Sequence, residues 1–136
     1  MKQIRLDTNA YATFKRGEPG ALDIIPMADP LGLSTVVLGE LRGGFAVGTR
    51  SERNRAELAA LLESPRVTVL PVSEGTAEFY ASVFAAFRRK GQPIPTSDLW
   101  VAATALEHGY GLFTYDTHFR FIDGLLMSRR PDDFLP

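Results

Sequence analysis

The sequence predicts an α/β fold in which a short central parallel sheet carries helices on both faces. Short runs of apolar residues, typical of buried strands, alternate with longer segments whose apolar residues recur at helical spacing. Strands separated by helices pair in parallel, because right-handed crossover connections lay each intervening helix against a face of the sheet. No repeat, low-complexity tract or linker interrupts this alternation. A chain of 136 residues has the size of one domain, so residues 1–136 are predicted to form one.

The first half of the chain is predicted to contain two strands, each leading into a helix. A capping side chain starts each helix and a glycine ends it. The caps are Asp7 or Thr8 for the first helix and Ser34 or Thr35 for the second, with Gly17 and Gly48 as the stops. The predicted elements are strand Ile4–Leu6, helix 10–15, strand 31–35 and helix 36–47.

The second half is predicted to contain three helices and two strands. Ser51 caps a helix that closes at Ser64 and Pro65, and a β-branched strand follows over 67–72. A helix starting at Ser73 ends at Gly91, and a further helix over 98–108 leads into a strand over 111–114. The helix starting at Ser73 has an apolar face predicted to consist of Tyr80, Val83, Phe84 and Phe87. The tail from about residue 119 is assigned no element.

Composition excludes several classes of protein. The chain has no cysteine, which rules out a disulfide framework, a thiolate metal site and a cysteine nucleophile. No signal peptide and no run of 18 uncharged apolar residues is present, so a cytoplasmic protein without a membrane segment is expected. With 15 Lys+Arg against 16 Asp+Glu, the net charge of -1 argues against wrapping nucleic acid by charge alone. A nuclease remains compatible with that charge.

Two clusters of basic residues have two open interpretations. Most cationic side chains are arginines, and they cluster near the starts and ends of predicted helices. Such clusters are usually solvated helix ends. Guanidinium groups also suit phosphate, so contact with RNA is the second interpretation. The clusters are Arg50, Arg53 and Arg55, and Arg88, Arg89 and Lys90.

Four carboxylates stand out by their positions. Asp7 follows the first strand and Asp116 follows the last, so both lie at the carboxyl edge of a parallel sheet, where ligands bind in such folds. Asp98 is in the first turn of a helix that is apolar nearly all round, and Glu40 lies between two apolar strips of its helix. Taken singly, each acid has an ordinary interpretation as a cap, a turn residue or a solvated side chain.

Together the four acids indicate a metal site. They come from separate elements, and no cationic residue is directly adjacent to any of them in sequence. Two carboxylates about 5 Å apart repel by about 3 kcal/mol at an effective dielectric near 20, so four ionised groups in one pocket require a cation. Oxygen ligands without cysteine or clustered histidine favour Mg²⁺ or Mn²⁺ over Zn²⁺ or Cu²⁺.

Four short segments contain the acids, in order along the chain. They are Leu6-Asp7-Thr8-Asn9, Ser34-Thr35 followed by Glu40-Leu41, the stretch from Asp98 through Leu106, and the stretch from Thr114 through Phe119. In these segments the chain resembles the PIN-domain ribonucleases and, within them, the VapC-type toxins of bacterial toxin-antitoxin pairs. The resemblance covers nearly the whole chain. Tyr115 stands where the family often has Asn, and His118 where it sometimes has a further Asp.

The resemblance implies metal-dependent hydrolysis of a phosphodiester in RNA by the acidic quartet Asp7, Glu40, Asp98 and Asp116. Asp7 and Asp98 would hold Mg²⁺ or Mn²⁺. Asp116 would ligate the metal or position the attacking water, and Glu40 would complete the shell or act as a base. Supporting contacts are expected from Thr8, Asn9 and Thr114, which are also ordinary cap or turn residues. His118 would donate to the scissile phosphate or be an exposed loop residue without a role.

The resemblance also implies partners. These are an RNA substrate such as tRNA or rRNA, a cognate antitoxin that silences the enzyme, and a second copy in a homodimer. Val36, Gly43 and Val47, with the aromatic residues of the helix from Tyr80 to Phe87, could form an apolar surface for either protein contact, or most of these residues belong to the core. The open alternative is a non-catalytic module that binds RNA or a partner on a PIN scaffold. A response-regulator receiver fits poorly, because that class has a lysine after its last strand and this chain has none there. A haloacid-dehalogenase-type phosphatase also fits poorly, because that class has Asp-x-Asp after its first strand and Asn9 takes the place of the second Asp.

Overall fold

A computed structural model describes residues 4–92, 94–117, 119, 122, 124–125 and 127–128 of the chain. Within these residues five strands form one sheet in the order β3-β2-β1-β4-β5, and every neighbouring pair is parallel. The strands are β1 (Ile4–Leu6), β2 (Leu31–Ser34), β3 (Val67–Leu70), β4 (Gly111–Phe113) and β5 (Met127–Ser128). The predicted α/β fold class is confirmed.

The described residues contain six α-helices, all of which lie between β1 and β4 in the chain. They are α1 (Thr8–Lys15), α2 (Pro19–Ile24), α3 (Thr35–Val47), α4 (Ser51–Leu62), α5 (Glu74–Lys90) and α6 (Thr96–His108). A 3₁₀ turn, Ile25–Met27, follows α2. Helices α1 and α3 pack against each other, as do α3 and α6, and α5 packs along α6. None of these helices is long and apolar enough to cross a membrane.

The centre of the sheet is covered on both faces. Successive residues of a strand point to opposite faces, and Ile4 and Arg5 in β1 are both 0% exposed. All four residues of β2 and all three of β4 are likewise buried. Parallel sheets require this double cover, because the crossover helices occupy both faces.

Capping side chains fix where the helices begin. Asp7 precedes α1 and its carboxylate accepts a hydrogen bond from the Thr8 amide. Ser34, the first of the two residues proposed for α3, is the cap, and its hydroxyl accepts from the Val37 amide, so β2 ends at Ser34 and Thr35 is helical. At α5, Ser73 and Thr76 form a capping box.

Several predicted boundaries differ from the structure by one to three residues. Helix α4 starts at Ser51 itself, with Arg50 before it, and α6 starts at Thr96 directly after Pro95. The strand predicted over 67–72 ends at Leu70. Helix α2 and strand β5 were not predicted, because six and two residues are too short to show a periodicity.

The predicted apolar face of α5 is only partly buried. Phe84 of α5 is 44% exposed, whereas Val83 and Phe87 on the same helix are buried. The ring of Phe84 instead has the Arg88 guanidinium 5.8 Å from its centroid. Of the apolar surface residues proposed for a protein contact, Val36 is half-buried, whereas Gly43 and Val47 are exposed.

Helix α6 presents its first turn to the carboxyl edge of the sheet. Only Gly109 and Tyr110 separate its last residue from β4, and Gly109 has the left-handed conformation (φ 71°) that ends a helix. Because the chain reverses there, α6 runs antiparallel to β4. Its N-terminal turn therefore lies toward the end of the sheet where β1, β2 and β4 finish.

Candidate active site

Asp7 is the buried centre of the site. It directly follows β1 and is 4% exposed, and its amide donates to the Phe113 carbonyl at the end of β4, at 3.1 Å. Oδ1 accepts from the Thr8 amide at 2.8 Å. Burial raises the pKa of Asp7, and the nearby charge of Glu40 raises it further, whereas hydrogen bonds from Thr114 and Thr8 and the charge of Arg5 lower it.

Thr114 joins Asp7 to Asp116. Its hydroxyl donates to Asp7 Oδ2 at 2.8 Å and accepts from the Asp116 amide at 3.0 Å, so both capacities of the hydroxyl are used. The side chain is 1% exposed. The buried Thr114 hydroxyl thus orients the Asp7 carboxylate and holds the backbone of Asp116.

Thr8 joins Asp7 to Glu40. The Thr8 hydroxyl donates to Glu40 Oε1 at 2.9 Å, across the junction of α1 and α3. Glu40 is exposed, although its helix buries Val37, Leu38 and Leu41. The negative charges of Asp7 and Glu40 are close enough to interact unfavourably.

Asn9 holds the loop after β4. Its Oδ1 accepts a hydrogen bond from the Tyr115 amide at 3.1 Å. This contact uses the backbone of Tyr115, so it does not require the Asn that the family often carries there. The Tyr115 ring lies against Phe113, with ring centroids 5.6 Å apart. The predicted supporting residues Thr8, Asn9 and Thr114 therefore all contact the acids or the loop that carries them.

Asp98 is half-buried in the first turn of α6. Its place at the carboxyl edge is inferred from the direction of that helix. One turn further on, the Val101 carbonyl accepts a hydrogen bond from Arg5 of β1. Hydrogen bonds link Asp7, Glu40 and Asp116 through Thr8 and Thr114, whereas Asp98 is placed by its helix. His118 lies outside the described residues.

The donor chemistry fits a hard divalent cation. The acids offer only carboxylate oxygens, and desolvation of Asp7 beside a like charge is the situation that a bound cation relieves. Among the described residues, no group of three or more His, Asp or Glu side chains is arranged so that it could hold a metal ion. The ligand set Asp7, Asp98 and Asp116 therefore stays a prediction.

Arg5 is the residue that sequence reasoning missed. It lies two positions before Asp7, is 0% exposed, and its pKa is lowered to about 9 by burial, with the charge of Asp7 acting in the opposite direction. A charged residue between Ile4 and Leu6 in an apolar strand is the sequence signal that could have found it.

The sheet is parallel, and Asp7 and Asp116 follow β1 and β4 at its carboxyl edge. The PIN domain family model matches residues 4–125, so the chain belongs to this family. The chain is 37% identical over 122 residues to the plasmid stability protein StbB of Pseudomonas syringae pv. tomato, covering 84% of this chain and 88% of that protein.

A second relative is named a ribonuclease. The VapC ribonuclease Y4jK of Sinorhizobium fredii is 32% identical over 123 residues, covering 84% of this chain and 87% of that protein. Among solved structures, DNA-bound VapBC from Salmonella typhimurium is similar with a TM-score of 0.82 and 25% identity, over 94% of this chain and 98% of that one. The resemblance to VapC-type PIN domains is confirmed.

Replacing Thr114 with Val tests the bridge between Asp7 and Asp116. The change leaves Asp7 Oδ2 and the Asp116 amide without this partner, and we expect RNA cleavage to fall by about 10- to 100-fold. The free energy of unfolding, measured by urea denaturation, should fall by about 1–3 kcal/mol.

Thr104→Val is the matched control for Thr114→Val. Thr104 is also buried, but its hydroxyl donates to the Trp100 carbonyl within α6 and contacts no acid of the site. This variant should lose stability yet cleave within about threefold of the unsubstituted protein. Equal cleavage by both variants would mean that the Thr114 hydroxyl does not organise the site.

Proposed function

We propose that the protein is a metal-dependent ribonuclease that hydrolyses a phosphodiester bond of RNA. The observation that carries this proposal is the buried carboxylate of Asp7, hydrogen-bonded through Thr114 and Thr8 to the elements that hold Asp116 and Glu40. Relatives named VapC ribonucleases support it, including VapC5 of Mycobacterium tuberculosis at 28% identity over 119 residues.

The four acids have distinct roles in this proposal. Asp7 and Asp98 would hold Mg²⁺ or Mn²⁺, Asp116 would ligate it or orient the attacking water, and Glu40, the exposed member, would complete the shell or accept the proton from water. A bound divalent cation supplies a water of lowered pKa and neutralises charge on the reacting phosphate. Thr8 and Thr114 donate their hydroxyl protons to carboxylates, so they serve to orient acids and not as nucleophiles.

We further propose that the chain is the toxin of a type II toxin-antitoxin pair and is silenced by a cognate antitoxin. Solved structures similar to this chain include VapBC-5 from Mycobacterium tuberculosis, a member of the VapBC family of toxin-antitoxin systems, with 26% identity and a TM-score of 0.68. RNA as the substrate agrees with the cytoplasmic location expected from the sequence. A homodimer is proposed as well, with the exposed Val47 and Phe84 as part of the apolar surface available for contact.

The test is cleavage of pooled tRNA and rRNA by the purified chain, free of any co-purifying partner, in Mg²⁺. Attack by water leaves a phosphate monoester on one fragment and a hydroxyl on the other, whereas attack by the ribose 2′-hydroxyl leaves a cyclic phosphate. We expect defined fragments without cyclic phosphate ends. RNA that is bound but stays intact with a folded protein would favour the non-catalytic binding module instead.

A further inference from the structure

Arg5 is a fully buried cation in the middle of the sheet. It lies in β1, the central strand, where it is paired in register with Gly32 of β2 and Leu112 of β4. Its side chain is 0% exposed. Arginine is rarely buried this completely unless an acid pairs with it, because removing a guanidinium from water is costly. An apolar residue would satisfy the packing of this strand, so the charge of Arg5 needs an explanation.

Hydrogen bonds compensate only part of the buried charge of Arg5. Nη1 donates to the Val101 carbonyl of α6. Nε and Nη2 are buried, and neither has a hydrogen-bond partner among the described residues. A guanidinium carries five N–H donors, so a single carbonyl leaves most of them unused. The side chain is therefore held in place by one contact while its positive charge remains largely uncompensated by hydrogen bonding.

Asp7 supplies a compensating charge. It directly follows β1, two residues after Arg5, and alternate residues along an extended strand share a face of the sheet. Arg5 is 0% and Asp7 4% exposed, so both groups are shielded from water and the attraction between their charges is weakly screened. We propose that Arg5 is an internal counter-ion of Asp7, which balances this carboxylate in the metal-free protein and lowers the affinity of the site for a divalent cation.

The effect of Arg5 on metal affinity rests on the proposed function, in which Asp7 holds a divalent cation. A cation bound at Asp7 would lie beside the guanidinium, and two positive charges in a buried region repel each other more strongly than in water. The contact with Val101 fixes Arg5 against α6, the helix that carries Asp98, so Arg5 cannot swing away without losing that hydrogen bond. The metal would therefore bind more weakly here than beside a neutral residue.

Calorimetric titration of Mn²⁺ into the purified chain tests the effect on metal affinity. Arg5→Met, which keeps an unbranched apolar chain but removes the charge, should bind Mn²⁺ at least about tenfold more tightly. Arg5→Lys keeps the charge and should stay within about threefold of the unsubstituted protein. Equal or weaker binding by Arg5→Met would overturn the proposal.

A double-mutant cycle in EDTA tests the charge pair without metal or RNA. Asp7→Asn should raise the unfolding equilibrium constant in both backgrounds. The factor of that increase should be at least about fivefold larger in the unsubstituted protein than in Arg5→Met. Additive effects would overturn the pairing. If Arg5→Met does not fold, Arg5→Gln replaces it, because the amide still donates to the Val101 carbonyl.

The two experiments separate the role of Arg5 from the proposed function. Coupling between Arg5 and Asp7 without any RNA cleavage would contradict the proposed function alone, whereas RNA cleavage without coupling would contradict the role of Arg5 alone.

Discussion

Asp7→Asn is expected to lower the rate of RNA cleavage by at least about 10³-fold. The amide has nearly the same shape and still offers an oxygen to the Thr8 amide, but it carries no charge to hold a cation. Its nitrogen would also face the Thr114 hydroxyl, which now donates to Asp7 Oδ2 at 2.8 Å and would have to find another acceptor. Single-turnover cleavage of a labelled RNA measures the effect.

Asp29→Asn is the matched control for Asp7→Asn. Asp29 is an exposed aspartate just before β2, at the opposite end of that strand from Glu40, and it should tolerate the same exchange with cleavage changed by less than about threefold. Full activity of Asp7→Asn, with a fold equal to that of the control, would remove Asp7 from the catalytic machinery.

The raised pKa of Asp7 gives the cleavage reaction a predicted pH dependence. Metal binding needs the ionised carboxylate, and burial raises the pKa of Asp7 above the ordinary aspartate value of about 3.9. As the pH falls, cleavage should therefore decline at a higher pH than an exposed aspartate would produce. In the metal-free protein the sign for stability is opposite: protonated Asp7 stabilises the fold at low pH, and this contribution is lost as the pH rises through the folded pKa.

Removal of divalent cations is the second change with a large expected effect. Chelation by EDTA should stop cleavage, a loss of at least about 10³-fold, because no divalent cation then activates the attacking water. Excess Mg²⁺ or Mn²⁺ should restore the rate. The same additions should raise the unfolding temperature, since a ligand that binds only the folded state stabilises it.

Circular dichroism in EDTA provides the control for this loss. Parallel backbone pairing holds the sheet, and the helices pack on a shared apolar core, so we expect the spectrum to be unchanged while cleavage disappears. Cleavage at an undiminished rate in EDTA would contradict a metal-dependent mechanism. Loss of the folded spectrum would instead assign the cation a structural role.

The sequence was most informative where local physical chemistry determines structure. Strand β1 was predicted with its observed bounds, and Ser34 was one of two proposed caps, because a short hydroxyl before a helix has a specific hydrogen-bonding role. The positions of Asp7 and Asp116 at one sheet edge followed from parallel topology alone. Helix α2, with six residues, was missed because it is too short to be recognised by its periodicity.

Other features depended on tertiary contacts that the sequence does not encode locally. The two bonds of the Thr114 hydroxyl join residues far apart in the chain, and the exposure of Phe84 depends on how α5 packs along α6. Arg5 is not directly adjacent to Asp7 in sequence, so adjacency alone does not reveal it. In an extended strand, residues two positions apart lie on the same face of the sheet, which makes Arg5 the cationic neighbour of Asp7.

The most direct test of catalysis by the four acids uses Asp98, whose place in the site is inferred from the direction of α6. Initial rates of Mg²⁺-dependent cleavage of pooled tRNA and rRNA would be compared for the unsubstituted protein, Asp98→Asn and Glu107→Gln. Glu107 is the matched carboxylate at the other end of α6, where it accepts a hydrogen bond from Thr76 at 2.5 Å. A loss of at least about 10²-fold in Asp98→Asn, with Glu107→Gln within about threefold of the unsubstituted rate, is the predicted result. Equal rates for Asp98→Asn and the unsubstituted protein would contradict catalysis by acids from four separate elements at this edge.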